Sequence, residues 1–340
     1  MKIIIATGIY PPDVGGPANY AKQLVKEFEA LGYQVGVVTC CLEKYLPIGV
    51  RHLYYFFKCL SRVYRADFVI ILDTFSVGFP MFLATRIFRR PIILRAGGDF
   101  VWEQFIERAK EKILLREFYK PLPNNLSTKE KIIYNLTKYF LRRLDAIIFS
   151  TEFQRAIFID GYGLKKENTF IVENYFGAKK SNTSPQKKNF LWAGRNNILK
   201  NLEVLKKAFD LAKEEDHTLE LEISEQVSRE ELLIKISNCY AVIYPSITEI
   251  SPNFILEAIM FNKPFISTRE VGFYDRIKNL GLFVDPLSIK DIADKILQLA
   301  DNSHYSIYVN KLRAFQYTHS YKQIAQEFLT IMQKVKQNKK

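Results

Sequence analysis

Runs of β-branched and other apolar residues alternate with stretches of helical periodicity along almost the whole chain, and no other feature limits the fold as much. The run KIIIATG at 2–8 shows no polar–apolar alternation, as a strand covered on both faces requires. Residues 17–31 then bring Ala21, Leu24, Val25, Phe28 and Leu31 onto one helical face, and Gly32 follows as a stop. Strand and helix in that order predict an α/β fold of βαβ units with parallel sheets. In such sheets ligands bind beyond the carboxyl ends of the strands.

The pattern runs through the chain twice. Further strands are expected at 34–39, 68–73, 91–97, 146–151 and 170–174, with a helix at 128–144. The polar segment GAKKSNTSPQKK at 177–188 has the composition of a linker. After it, strands are expected at 189–194, 219–224, 241–246, 264–268 and 282–285. Helices are expected at 201–215, 227–237, 252–261, 289–299 and 321–336. The 340 residues suffice for two domains. Their expected extents are 1–175 and 176–316, with the C-terminal helix, 317–340, packing back on the first.

Composition narrows the function classes. A hydrophobic content of 48% with 25% charged residues fits substantial cores. The net charge of +13 asks for an anionic partner. The basic residues are spread over both halves without a helix-turn-helix, RNP or zinc pattern, so no nucleic-acid partner is expected. No run approaches the ~18 apolar residues of a membrane span, and the N-terminus reads as a strand, not a signal peptide. Cys40, Cys41, Cys59 and Cys239 lack zinc-site spacing and read as reduced thiols of a cytoplasmic protein. The final KVKQNKK reads as a frayed basic end. In 105–143 ten basic residues face four acidic ones, interleaved with Phe105, Phe118, Tyr119, Tyr134, Tyr139 and Phe140. That composition suits an anionic membrane surface, or a solvated helix whose aromatics face a core.

Three loops fall at carboxyl ends of expected strands. In TGIYPPDVGGPANY, Gly15 and Gly16 run into a helix that opens with Pro17; the backbone there can approach an anion closely or form a plain tight turn. In AGRNNILKNLEVL, Arg195 and Lys200 follow a strand; two cations there can neutralise a diphosphate or simply be solvated. The third is PSITEISPNFILEAIMFNKPF. Ser251-Pro252-Asn253 has the form of a helix start, with Ser251 as N-cap and Pro252 in the first turn. Glu249 precedes that start and Glu257 follows it. Two carboxylates beside a phosphate-binding helix end suit a ligand with anionic oxygens and neutral hydroxyls.

The order of a Gly-Gly loop, G-R-x4-K-N and E-x7-E resembles the retaining glycosyltransferases of the two-Rossmann-domain (GT-B) class, especially glycosyltransferase family 4, the glycosyl transferases of group 1. The resemblance covers nearly the whole chain and is strongest over 189–286. It implies two Rossmann-like domains whose parallel sheets face across a cleft, the first binding acceptor and the second a nucleotide-sugar donor. Arg195 and Lys200 match the family's diphosphate-binding pair. Glu257 matches the carboxylate on the donor ribose, and Glu249 the carboxylate on the donor sugar. The backbone of Ser251, Pro252, Asn253 and Phe254 matches phosphate and sugar contacts, and Gly15 and Gly16 also fall at the donor. Where members often carry a His, this chain reads RAGGDFVWEQF; His52, His217, His304 and His319 do not fit that role. Asp99 stands nearest to it. It can orient an acceptor hydroxyl, with Trp102 and Glu103 beside it and Gly97-Gly98 leaving room, or it can cap the following segment.

The resemblance implies sugar transfer from a nucleotide diphosphate to an acceptor hydroxyl with retention, the leaving diphosphate taking the acceptor proton. Neither a cofactor nor a metal is expected. The expected acceptor is a sugar or lipid-linked sugar of bacterial surface polysaccharide or glycolipid assembly. The expected location is the cytoplasm, with the inner face of the membrane left open. Alternatives are a nucleotide-sugar-binding protein without turnover, and an inverting or epimerase enzyme on the same fold.

Overall fold

A computed structural model of the chain describes residues 1–13, 15–40 and 47–338. Cys41 and the last two residues of the basic end lie outside the described residues. The chain forms two compact units. The first comprises Met1–Gln104, Tyr119–Tyr175 and Ser320–Lys340, the second Phe105–Phe118 and Phe176–His319.

The first unit is built on six strands: β1 (Lys2–Thr7), β2 (Gln34–Thr39), β3 (Phe68–Ile71), β4 (Ile92–Arg95), β5 (Ala146–Phe149) and β6 (Thr169–Ile171). They lie in the order β2-β1-β3-β4-β5-β6, and every neighbouring pair is parallel. All residues of β3 and β5 are buried, which is why these runs carry no alternation. Along this half of the chain run α1 (Gly16–Ala30), α2 (Ile48–Val63), α3 (Gly78–Ile87), α4 (Phe100–Ala109), α5 (Leu115–Phe118), α6 (Thr128–Leu141) and α7 (Glu152–Tyr162).

The second unit holds β7 (Lys188–Ala193), β8 (Leu219–Ser224), β9 (Ala241–Tyr244), β10 (Phe265–Thr268) and β11 (Leu282–Val284), parallel and ordered β11-β10-β9-β7-β8. Its helices are α8 (Leu202–Glu215), α9 (Arg229–Asn238), α10 (Asn253–Met260), α11 (Tyr274–Ile277), α12 (Ile289–Ala300) and α13 (Asn302–Ala314). Both sheets share one switch: the chain adds a strand on one side of the first, then returns to its other side. The reversal falls between β1 and β3 in the first unit and between β7 and β9 in the second. At such a point two successive loops diverge and leave a crevice beyond the strand ends.

The C-terminal α14 (Tyr321–Gln337) closes the first unit. Ser320 and Gln323 form a capping box at its start. Its buried stripe of Ile324, Ala325, Phe328, Ile331 and Met332 joins Leu24, Val25 and Phe28 of α1 in one core. Phe328 meets Phe28 edge-on at 6.4 Å.

Two expectations are corrected here, and one open alternative is narrowed. Segment 177–188 is no free linker but a pinned edge of the second unit. The Lys180 amide donates to Met260 (2.8 Å), the Thr183 amide to Ser237 (3.1 Å), and Lys179 Nζ to the carbonyls of Ile259 and Leu312. The aromatics of 105–143 mostly face cores: Phe105, Phe118, Tyr134 and Phe140 are buried, while Tyr139 is exposed under the Arg143 guanidinium. Ser251 is not the N-cap of α10, whose cap position is Pro252 with no side-chain cap bond. Helices α2 and α3 escaped sequence reading because neither shows a single apolar stripe. In both helices apolar residues occupy the exposed face as well as the buried one, Leu83 and Ile87 being the exposed pair of α3, and Pro80 is tolerated in the first turn of α3. No described helix is long and apolar enough to cross a membrane.

Truncating Phe328 to Ala leaves a cavity between α1 and α14. The substitution is expected to lower the stability of the first unit by about 3–5 kcal/mol in urea unfolding; a loss below 1 kcal/mol would show that α14 is not integral to that core.

Candidate active site

The loops after β7 and β9 flank the switch point of the second unit. After β7, Gly194 leads into Arg195, which is exposed and makes no ion pair among the described residues. Gly194 lies against the Tyr244 hydroxyl; an added Cβ would sit 3.2 Å from it. A single 3-10 turn, Ile198–Lys200, is capped by the Asn197 side chain. It aims Lys200 back across the β9 end, where Nζ meets Glu249 Oε2 at 2.7 Å and lies 4.9 Å from the Tyr244 ring centre. Burial alone would lower the pKa of the Lys200 ammonium. Glu249 and Tyr244 outweigh it and raise that pKa above the usual lysine range.

Glu249 is fixed by its backbone. Its amide donates to the Glu270 carbonyl at 2.8 Å, and its carbonyl accepts from the Gly272 amide at 2.9 Å. The loop after β9 is thereby laced to the loop after β10. A third cord is Asn201, buried, at φ 57°. Asn is one of the few residues that adopts this left-handed conformation readily. Its amide nitrogen donates to the carbonyls of Pro245 (3.0 Å) and Pro286 (2.6 Å), and its oxygen accepts from Lys112 Nζ at 2.8 Å. One side chain thus joins the ends of β7, β9 and β11 with the segment Phe105–Phe118.

Glu257 sits on a helix, NFILEAIM, that is buried from Phe254 to Met260. It is the one charged residue there, and a buried carboxylate needs a partner. Arg229, at the start of α9, supplies it at 2.7 Å. Burial still raises the Glu257 pKa, against the pull of Arg229 and Lys180. The two predicted carboxylates therefore hold separate cations, Glu249 with Lys200 and Glu257 with Arg229. Pro252, at the cap position of α10, makes no side-chain cap bond, the Asn253 amide donates to the Ser251 carbonyl at 2.8 Å, and the Phe254 ring packs edge-on against Tyr244 at 5.3 Å.

The first unit places the remaining candidates. Gly15 precedes α1 at φ 149°, a conformation that side-chain-bearing residues rarely adopt, and Gly16 begins the helix with nothing within 4 Å of its missing side chain. Both follow β1, at the switch point of that sheet. Asp99 is fully buried beyond β4. It accepts from the amides of Val101 (3.1 Å) and Trp102 (3.0 Å) at the start of α4. The hydroxyls of Tyr119 (2.7 Å) and Tyr162 (3.1 Å) also donate to it. Burial raises its pKa, while these four donors pull it down. The capping alternative describes this geometry. The room expected at Gly98 is filled by the Glu103 carboxylate, and Trp102 is buried.

Sequence reasoning passed over Asn201, Arg229, Glu270 and Arg116. Asn201 stood inside the quoted G-R-x4-K-N and its left-handed role carried no sequence mark. Glu270, buried and raised in pKa by that burial, pairs with Arg116 Nε at 2.6 Å. The Leu115 amide donates to Thr248 Oγ1 at 3.1 Å, so the segment that sequence attached to the first half is tied to the β9 loop. Nothing in spacing announces these pairs, which are distant in sequence. Among the described residues, no group of three His, Cys, Asp or Glu is placed to hold a metal ion.

Replacing Asn201 by Gly keeps the backbone conformation and removes the side-chain bonds. We expect a loss of about 2–3 kcal/mol in the unfolding of the second unit. Parent-like stability of Asn201→Gly would show that the strand ends hold without this side chain.

Residues 210–318 match the family described as Glycosyl transferases group 1. No curated protein sequence matches the chain. Among solved structures, the sucrose-phosphate synthase of Thermosynechococcus elongatus is 14% identical, with 98% of each chain covered at a TM-score of 0.71. WaaG, a glycosyltransferase involved in lipopolysaccharide biosynthesis, is 12% identical over 96% of this chain and 98% of its own, at 0.69. Alr3699/HepE of Anabaena, solved with UDP and glucose, is 15% identical over 99% of each chain, at 0.63. At such identities these likenesses show the fold, two Rossmann-like units of the GT-B kind. The match over 210–318 begins within α8, runs through α13 and includes the Glu249–Glu257 segment, and by it this part of the chain is a glycosyl transferases group 1 domain.

Proposed function

We propose that the second unit binds a nucleotide-diphosphate sugar at the β7–β9 switch point and that the enzyme transfers the sugar with retained configuration. The observation that carries this reading is the pairing of both predicted carboxylates with cations, Glu249 with Lys200 and Glu257 with Arg229, beside the loops that flank that switch point. Arg195, exposed and without an ion pair among the described residues, and Lys200 take the diphosphate. When Lys200 turns to a phosphate oxygen, Glu249 is released to accept from a sugar hydroxyl. Glu257, acceptor-only when ionised, takes the ribose hydroxyls. Gly15 and Gly16 offer a bare backbone to oxygens at the other switch point.

In the proposed step the acceptor oxygen attacks the anomeric carbon as the bond to the β-phosphate oxygen breaks. The acceptor proton passes to the departing phosphate oxygen, and the nucleoside diphosphate leaves with its charge met by Arg195, Lys200 and the α10 amides. This route needs no side-chain base and no metal, in keeping with Asp99 having its oxygens engaged. The UDP and glucose held by HepE support the donor class, and the role of WaaG supports an acceptor from surface glycolipid or polysaccharide assembly.

Thermal-shift titration with UDP-, GDP- and ADP-sugars tests the reading: one series is expected to stabilise the protein and to release nucleoside diphosphate slowly. If none does, the donor assignment fails. Arg195→Ala is expected to lower donor affinity at least ~10-fold, the loss of one charge-assisted contact.

Glu257→Gln separates stability from binding. A carboxyl whose folded pKa is raised destabilises the fold when ionised. That penalty is absent below the usual Glu range, where both states are protonated, and is complete above the raised value. The Gln variant is therefore expected to melt higher than the parent at neutral pH without donor, to lose that advantage on acidification, and to lose the donor-induced shift. A donor shift equal to the parent's contradicts the ribose role.

A further inference from the structure

Helix α2 has two apolar faces, and among the described residues only one is covered. At about 100° per residue, Tyr55, Cys59 and Val63 fall together on the buried side, toward β2 and α3. Val50, Leu53, Tyr54 and Phe57 recur at the i, i+3, i+4, i+7 spacing on the opposite side. They are 54%, 58%, 52% and 59% exposed, and together they form a contiguous patch, unlike apolar residues scattered singly over a surface. Tyr64 at the end of α2 and Leu83 and Ile87 on the adjoining α3 extend the exposed apolar surface.

Charge identifies what meets it. Residues 47–66 and 78–91 contain seven Lys or Arg and no Asp or Glu. Arg62, Arg65, Arg86 and Arg89 are exposed around the stripe. The nearest acid in sequence, Asp67, is held by the Lys2 amide at 2.7 Å. A second copy of this face would bring like charges together. A flat anionic surface with an apolar layer beneath it satisfies both properties, with tyrosine at the level between them.

We propose that the α2–α3 face of the first unit is a docking surface for an anionic phospholipid bilayer. Leu53, Phe57 and Val50 enter the headgroup–acyl boundary, Tyr54 and Tyr64 lie at headgroup level, and the exposed arginines take lipid phosphates. The surface is distinct from 105–143, whose aromatics serve cores and whose Arg142 donates to the carbonyls of Tyr162 and Gly163. It is also independent of the donor reading, since lipid binding is measured without any nucleotide sugar.

Flotation of the full chain with vesicles tests it. The parent is expected to float with phosphatidylcholine–phosphatidylglycerol vesicles, to bind phosphatidylcholine alone at least ~10-fold more weakly, and to lose binding as salt rises. Leu53→Ser with Phe57→Ser, and separately Arg62→Ala with Arg65→Ala, are expected to cut binding to anionic vesicles by roughly 30-fold, the effect of two surface cations in the second case. Both pairs are exposed, so circular dichroism melting should match the parent. Arg142→Ala with Arg143→Ala should bind as the parent does. Failure of the parent to float, or parent-like binding by folded Leu53→Ser/Phe57→Ser, overturns the proposal. So does a parent dimer in analytical ultracentrifugation that this apolar variant dissociates, because the face would then belong to a second copy.

Discussion

The candidate site depends on one buried amide. Parallel strands end in loops that share no ladder hydrogen bonds, so something else must hold those loops in register if they are to bind one ligand. In the second unit the Asn201 side chain does this, bonding the carbonyls of Pro245 and Pro286 from a left-handed turn at the head of α8. The backbone bonds of Glu249 with Glu270 and Gly272 finish the lacing. Lys200 and Arg195 occupy the turn that Asn201 anchors, so their placement follows from it.

The second constraint is the cost of a carboxylate in an apolar helix. Every residue of α10 from Phe254 to Met260 is buried, and a Glu in its middle opposes folding unless it is paired or used. Arg229 pairs with it without restoring its ordinary pKa. An apolar residue would pack there without that penalty, a cost that the proposed ribose contact would account for. The Lys200–Glu249 pair differs: there Glu249 and Tyr244 outweigh burial and raise the lysine pKa.

Much of the fold was legible because the physics behind it is local. Fully buried strands such as FVII and AIIF announce themselves by lacking alternation, and α8 and α12 by one apolar stripe. Helices α2 and α3 were not legible, because their apolar residues serve two surroundings and the 3.6-residue period is blurred. In the site, Arg195, Lys200, Glu249 and Glu257 stood out by spacing. Arg229, Glu270 and Arg116 did not, since each became relevant only through a partner far away in the chain. The same limit applies to Asp99: two tyrosines from Tyr119 and Tyr162 complete its environment, and no local pattern foretold them.

The sequence by itself determined two parallel α/β sheets, the succession of strands and helices along them, and which loops carry charge at strand ends. These follow from hydrophobic periodicity and turn chemistry, which act over a few residues. Only the tertiary structure decided which charges meet, which aromatics of 105–143 are core, that 177–188 is pinned, and that an apolar stripe of α2 is left uncovered among the described residues. Those outcomes depend on long-range packing, where burial and pairing are properties of neighbours that the chain order does not contain.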